Sequence, residues 1–500
     1  MKVEIIVEKD RCRRWLLHLT ELLKTSQSDE VVYQLIKPSP PVSRELKTAL
    51  QLEERILGAD PFSGMSRLDP SELPQTSRKD TDLFFDLTAG GSEYGSSKSF
   101  EVRYNGACGE EALFSALMSE GTPLIEVIDR QAGTVAACGT ASLEAATGLS
   151  GAMDAVYSRV AVLIKKVVEG AHAHGTPMKA EALQAVTQKQ VLIRLLRETA
   201  ITLIRSVYRA FFYTSHWRVG WRFVDGEGVA GTRDLSGEPW HVLKSPHDTF
   251  FADPFPIKTD GRYYLFFEAL PHETQKGVIS MVEMTKDGPV GEVSTVLEEP
   301  WHLSYPFVFE RDGEFWMIPE SSTNNEVVLY RAARFPGQWE RHTVLLTGVE
   351  AADATIIEYE GRFWMFAVTR NGVGGYSDCL SVYYADDLLG PWHAHEQNPV
   401  LVDDRAARPA GRFFSQGGEL WRPVQDCRHG YGAALAFARV DELSPTTFQQ
   451  SVHETLTPGP LWPGRKLHTL NKVGDLEVID GCTYHPKSEL AAKMKAFFDR

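Results

Sequence analysis

At 500 residues, with 43% hydrophobic and 24% charged side chains, the chain has the make-up of a soluble globular protein and the length of two domains. Its net charge of −15 argues against a nucleic-acid binder, since a phosphate backbone would meet repulsion over most of the surface. The six cysteines are scattered with no Cys-x-x-Cys pair, so neither a zinc site nor a disulfide framework is indicated.

The opening MKVEIIVEKD places Glu4 and Glu8 where a signal peptide needs an unbroken apolar core, and it reads as a first β-strand. No apolar run is long enough to span a membrane, so a reduced, cytoplasmic setting is the expectation. Residues 15–23 have helical spacing, 31–36 are strand-like, and the run beginning at Asp82 reads as a buried strand. Residues 110–121 form a helix with a glycine stop, followed by a strand over 122–129. This alternation implies an open α/β sheet with right-handed crossovers over residues 1–185. Residues 186–215 then read as an amphipathic helix. Val191, Leu195, Thr199, Leu203 and Val207 share a stripe, and Arg194, Arg197, Arg205 and Arg209 lie mostly off it. Such a helix either connects two packed domains or makes peripheral contact with a membrane surface.

From His216 the chain turns to aromatic β-structure, and one sentence repeats. It is written ADPFPIKTDGRYYLFFE from Ala252, YPFVFERDGEFWMIPE from Tyr305, DATIIEYEGRFWMFAV from Asp353, and more loosely PAGRFFSQGGELWRPV from Pro409. In the first three copies Asp253, Tyr305 and Asp353 each stand eight residues before a turn glycine, namely Gly261, Gly313 and Gly361. Roughly fifty residues per copy is what a four-stranded propeller blade needs. A fifth, weaker turn in HTLNKVGDLEVIDG is expected to share its blade with HWRVGWRF, so that both ends of the domain close the ring. The fold expected is therefore an α/β domain followed by a five-bladed β-propeller over 216–485, with a C-terminal helical tail over 486–500.

These repeats resemble the five-bladed propeller glycosidases of the arabinanase and β-xylosidase type. The wording FADPF…DGRYYLFFE, HLSYPFVFERDGEFWMIPE, DATIIEYEGRFWMFA, ARPAGR and PVQDC is closer to one subgroup. That subgroup is the propeller of glucosamine inositolphosphorylceramide transferases and of bacterial formyltransferase-like proteins. The N-terminal half is similar in layout to the degenerate formyltransferase-type domain of the latter. Formyltransferases use an Asn-x-His pair; here Asn105 is followed two residues later by Ala107, so a structural or sugar-nucleotide-like binding role is expected in place of formyl transfer.

The resemblance implies that Asp253 and Asp353, opening blades one and three, are the general base and the partner that modulates the acid. Inversion needs one carboxylate to activate water and one carboxylic acid to protonate the leaving oxygen. The plain alternative is that both are strand-start caps, and their shared register in alternate blades favours the site reading. The general-acid Glu that the family carries at the start of blade four is missing, since residues 407–410 read Ala-Arg-Pro-Ala. Glu320, at the end of MIPE, and Asp426, in PVQD, are the substitutes, with a surface salt bridge as the plain alternative. Glu268 occupies Glu320's register in blade one. Arg408, helped by Gln425, is expected to clamp an anionic sugar. His302 and His468 precede blade starts, and His468 resembles a blade-five histidine that lies near an axial ion or water. No cofactor is expected beyond that ion, and no dedicated metal site.

Two functions stay open. One is a glycosidase or transglycosidase acting on an anionic glycan or glycoconjugate through Asp253, Asp353 and Glu320. The other is a non-catalytic glycan- or glycolipid-binding propeller that assists a glycosyltransferase.

Overall fold

A computed structural model describes the chain apart from residues 26–27, 29, 39–40, 59, 61–62, 76–80, 91–97, 120, 171–175, 180–184 and 499–500. It divides into two compact units, Met1–Leu203 with Asn371–Gly375, and Ile204–Arg370 with Tyr376–Arg500.

In the first unit the strands Glu30–Ile36, Lys2–Glu8, Leu83–Asp86 and Lys98–Tyr104 lie side by side and parallel. Leu124–Asp129 and Thr134–Thr140 extend the sheet antiparallel. The sheet is mixed because the last two strands are joined by a tight turn, closed by the Gly133 N–H on the Asp129 carbonyl at 2.8 Å, and a short turn joins only antiparallel neighbours. The helix Gly148–Val168 supplies much of the core, with Met153, Val156, Val160 and Ile164 fully buried. Asn105 holds a turn: its backbone N–H and its side-chain oxygen both bond Leu124, each at 2.9 Å. That is a structural duty. Among the described residues no helix is long and apolar enough to cross a membrane.

The helix Gln188–Phe211 ends earlier than its sequence pattern implies, because Phe212 already pairs with Pro486 at the start of the strand Phe212–Phe223. The second unit holds five sheets. Blade one comprises Thr249–Thr259, Arg262–Pro271, Val278–Thr285 and Gly288–Leu297. Blade two runs through Ser304–Arg311, Glu314–Glu320, Glu326–Arg334 and Gln338–Thr347, and blade three begins with Ala351–Tyr359 and Arg362–Thr369. Blade four pairs Phe414–Gln416, Glu419–Asp426, Ala434–Leu443 and Phe448–Leu456. Blade five joins Leu470–Val473 and Leu476–Pro486 to Phe212–Phe223 and His241–Val242, so strands from both ends of the domain close the ring. Closure removes the free sheet edges that an open array would leave. Trp316, Trp364 and Trp421 sit opposite Phe309, Ile357 and Phe414 in matching registers and are buried between blades.

The first strands of blades one, two and three each carry a β-bulge at the same place: between Ala252 and Phe255, Ser304 and Phe307, and Ala352 and Thr355. The bulged residues have positive φ, +51° at Asp253, +42° at Tyr305 and +55° at Asp353. Asp enters this left-handed region at small cost, whereas a tyrosine there is strained and must be held by other contacts. A bulge re-aims one side chain per blade. This is why the repeated sentence changes its first letter while keeping its grammar.

Candidate active site

Asp253 is held from three sides. The Thr469 hydroxyl donates to its Oδ1 at 2.8 Å, the Tyr305 N–H to its Oδ2 at 3.3 Å, and His468 Nε2 lies 3.7 Å from Oδ1. The other nitrogen of His468, Nδ1, is 2.6 Å from Asp480 Oδ2. Asp480 is fully buried and also accepts the backbone N–H groups of Asp253, His468 and Thr469 at 3.0, 3.2 and 3.0 Å. That carboxylate is filled with donors, and its contact with Nδ1 fixes which nitrogen of His468 carries the proton it shares. His468 is stacked on Trp217 at 3.8 Å between ring centres.

Asp353 accepts from Arg408 Nε at 2.6 Å and from Gln425 Nε2 at 3.1 Å. Arg408 is spent on its neighbours. Its Nη1 donates to the Tyr376 carbonyl at 3.1 Å, its Nη2 lies 3.8 Å from Glu320 Oε2, and its guanidinium covers the Tyr431 ring at 4.6 Å. The expected anion clamp is therefore corrected: this guanidinium neutralises two carboxylates of the protein. Arg412 is likewise structural, donating to the Val308 carbonyl and lying over Phe307.

Blade four is built without the bulge of blades one to three. The Gln425 N–H bonds the Arg408 carbonyl at 2.9 Å and Pro409 pairs with Val424. Gln425 therefore holds the register of Glu268 and Glu320, which pair with Ala252 and Ser304. The place assigned to Asp426 belongs to Gln425. Successive strand residues face opposite ways, and Asp426 turns to Arg428, whose Nη2 it meets at 2.6 Å. Asp426 is not part of the cluster.

Glu268 is buried on the side facing His302. The Gly277 N–H donates to His302 Nδ1 at 3.0 Å, so in the neutral ring Nε2 carries the proton, and that nitrogen lies 3.3 Å from Glu268 Oε1. A Cβ on Gly277 would fall 2.7 Å from that same carboxyl oxygen and 2.8 Å from His302 Cε1, so only glycine lets the three groups meet. Glu320 accepts from the Ser322 hydroxyl at 3.1 Å and lies within hydrogen-bond reach of Asp353. Among these groups the His302 side chain at 33% and Glu320 at 12% are the more exposed, and they mark the open side of the cluster.

The environments drive the carboxyls apart. Burial pushes Asp253 up to about 6 against the pull of His468. Burial pushes Asp353 up to about 7 against the pull of Arg408. Glu268 is driven well above the carboxylate range by burial first and by the Asp253 charge next. His468 is held above its usual value, since Asp480 and Asp253 overcome the burial that opposes its charge. These shifts set the two acids of blade one apart: burial and a neighbouring charge push Glu268 toward its protonated form, while His468 draws Asp253 back toward its ionised one. Acid/base chemistry uses carboxyls whose environments differ in this way.

The same burial frames the question of an axial ion. Asp253, His468 and Asp480 offer ligand atoms within 4.8 Å of one another. His468 Nδ1 is taken up by Asp480 at 2.6 Å, which leaves Nε2 as the nitrogen open to an ion.

Sequence reasoning brought Asp253, Asp353, Glu320, Gln425, His302 and His468 to one place. It missed Asp480, whose signal is an acid inside the otherwise apolar LEVIDGC, and it undervalued Glu268, which follows the aromatic run YYLFF.

Residues 242–475 match the family model described as glucosamine inositolphosphorylceramide transferase 1, N-terminal. Two curated relatives are named glucosamine inositolphosphorylceramide transferase 1. The one from Oryza sativa subsp. japonica is 34% identical over 247 residues, 46% of this chain and 33% of its own length. The one from Arabidopsis thaliana is 35% identical over 205 residues, 40% of this chain and 27% of its own. The chain thus spans about a third of the length of the relatives it matches. Among solved structures, a family 117 glycoside hydrolase from Zobellia galactanivorans aligns with a TM-score of 0.33 at 14% identity, covering 49% of this chain and 77% of its own. An exo-β-1,3-galactanase from Clostridium thermocellum gives 0.34 at 11% identity, covering 48% and 60%. The propeller of this protein is similar, over residues 242–475, to the N-terminal region of the glucosamine inositolphosphorylceramide transferase 1 family.

Proposed function

We propose that the propeller binds a glycan or glycoconjugate at the axial carboxylate cluster and cleaves or transfers a glycosyl group there. Asp253 acts as base and Glu268 as proton donor. The observation that carries this reading is the contrast between two acids of one blade: Asp253 faces His468, whose hold on its proton Asp480 strengthens, and Glu268 is buried against His302, whose hold on a second proton burial weakens. Asp353 and Glu320, tied together through Arg408, shape the pocket and bear on the acid's proton affinity. In step, Asp253 removes a proton from the attacking water or hydroxyl while Glu268 gives its proton to the departing oxygen.

With Glu268 holding its proton in this reading, four further carboxyl groups (Asp253, Glu320, Asp353 and Asp480) against Arg408 and His468 still leave the cluster acidic. A sugar bearing phosphate or carboxylate is disfavoured there, and a neutral or amino sugar is favoured. The relatives are named for glucosamine, an amino sugar, which fits that charge. The N-terminal unit takes no formyl-transfer role in this reading, since Ala107 stands where the histidine would be.

A second reading is a non-catalytic glycan-binding propeller that presents substrate to a glycosyltransferase. It is favoured by the absence of an acid at the start of blade four and by a match confined to the N-terminal region of proteins named as transferases. A panel of nitrophenyl glycosides, including glucosaminides, separates the two. Release of nitrophenol by the wild type and none by Asp253→Asn supports the enzyme. Saturable glycan binding that survives Asp253→Asn, with no turnover by either protein, supports the binder.

A further inference from the structure

The helix Gln188–Phe211 has two apolar faces, and only one of them is used. Val191, Arg194, Leu195 and Glu198 line a small space shared with Ala49, Met118 and Leu149 of the first unit, and Arg194 also donates to the Leu117 carbonyl. On another face Leu192, Ile193, Leu196, Leu203, Ile204 and Val207 are between 52% and 66% exposed. At 3.6 residues per turn these six fall within about 120° of arc, the width of a docking stripe. The exposed Arg197, Arg205 and Arg209 occupy the arc beside it.

Charge decides what can cover such a stripe. The helix carries five basic residues against the single acid Glu198, in a chain whose net charge is −15. A second copy of this helix would meet its own positive charge, whereas an anionic surface would be attracted. The C-terminal end of the helix adds the same chemistry. Arg465 lies over Tyr484 at 4.7 Å and Tyr208 at 5.8 Å, and Lys487 lies over Tyr213 at 5.4 Å. Aromatic rings capped by cations suit the headgroup level of a bilayer, where an apolar ring and a charged tip are both satisfied.

We propose that the helix Gln188–Phe211 is a peripheral membrane-docking element that lays its exposed apolar face on an anionic lipid surface, with its arginines at the headgroups. The inference is independent of what the carboxylate cluster does. It brings the chain to a surface where lipid-borne substrates lie.

The test is flotation of the full chain with vesicles of phosphatidylcholine alone and of phosphatidylcholine with phosphatidylglycerol, at low and high salt. The expected result is binding to the phosphatidylglycerol vesicles that weakens with salt. The double variant Leu196→Glu/Leu203→Glu should bind at least about tenfold more weakly, and Arg197→Glu/Arg205→Glu likewise, both with an unchanged thermal midpoint because all four positions are exposed. Equal binding of wild type and both variants overturns the proposal, as does no binding to either vesicle. A salt-resistant dimer that Leu196→Glu/Leu203→Glu breaks also overturns it, by showing that a second copy covers the face.

Discussion

His468 stands between two aspartates, 2.6 Å from Asp480 through Nδ1 and 3.7 Å from Asp253 through Nε2. Only Asp480 is bonded to three backbone N–H groups. It is therefore the anchor of the group, and Asp253 is the member whose proton affinity can be tuned. Asp480→Asn removes the buried partner of the imidazolium and should destabilise the fold by about 3–5 kcal/mol. Asp253→Asn should cost far less, because burial already favours an uncharged group there. Urea unfolding of the two variants at neutral pH reads the difference. Equal losses would mean that Asp253, too, is a structural anchor.

Stability should peak at mildly acidic pH. Asp253 and Asp353, raised to about 6 and about 7 from an unfolded value of 3.8, contribute stability that is present below the unfolded value and lost as pH rises through the folded ones. The histidines work in the opposite direction. His216 packs on His485 at 3.7 Å and bonds His272 at 3.0 Å. Burial lowers His216 to about 3 and His272 to about 4, so their contribution is present above 6.5 and lost as pH falls toward those values. Denaturation midpoints measured from pH 4 to pH 8.5 should pass through a maximum, and Asp353→Asn should flatten the alkaline side alone. A midpoint that climbs steadily to pH 8 in the wild type would contradict the burial argument.

Arg408→Ala leaves Asp353 and Glu320 without their common cation. It should destabilise the protein by about 3–5 kcal/mol, with no selective loss of binding to phosphorylated or carboxylated glycans. A glycan array with wild type and variant checks the second half. Loss confined to anionic sugars would restore Arg408 as an anion clamp.

Tyr305 keeps its strained φ because its hydroxyl accepts the Gly411 N–H at 2.8 Å and meets Thr355 Oγ1 at 3.0 Å. Tyr305→Phe leaves that buried N–H unpaired and should cost about 1–3 kcal/mol. Amide hydrogen exchange at Gly411 should rise with it. An unchanged unfolding midpoint would show that the bulge is held by other contacts.

The propeller was legible in the sequence because each blade repeats the same physical demand: an axial strand start, a positive-φ turn glycine, then an aromatic second strand. Asp253 and Asp353 stood out for the same reason, since they share one register. Arg408 was misread because its partners come from blades two and three, and no spacing within blade four reports them. Asp426 was misread by one residue. Blade four lacks the bulge, so counting from the other blades lands on the wrong face of its strand. Asp480 lies where a charge looks out of place in an apolar strand, and its meaning appears only once Asp253, His468 and Thr469 converge on it. For the helix Gln188–Phe211 the sequence left a connecting and a membrane-surface role both open, because periodicity locates an apolar stripe without telling whether it is covered.

Glu268 is proposed as the proton donor to a leaving oxygen, and leaving-group dependence tests that role most directly. Once a glycoside substrate is in hand, Glu268→Gln should be compared with wild type on an alkyl glycoside and on the dinitrophenyl glycoside of the same sugar. The variant should lose about 10²- to 10⁴-fold on the alkyl glycoside, whose oxygen needs a proton, and keep most of its rate on the dinitrophenyl one, whose oxygen does not. Equal losses on both, or no loss on either, would contradict the assignment of Glu268 as the acid.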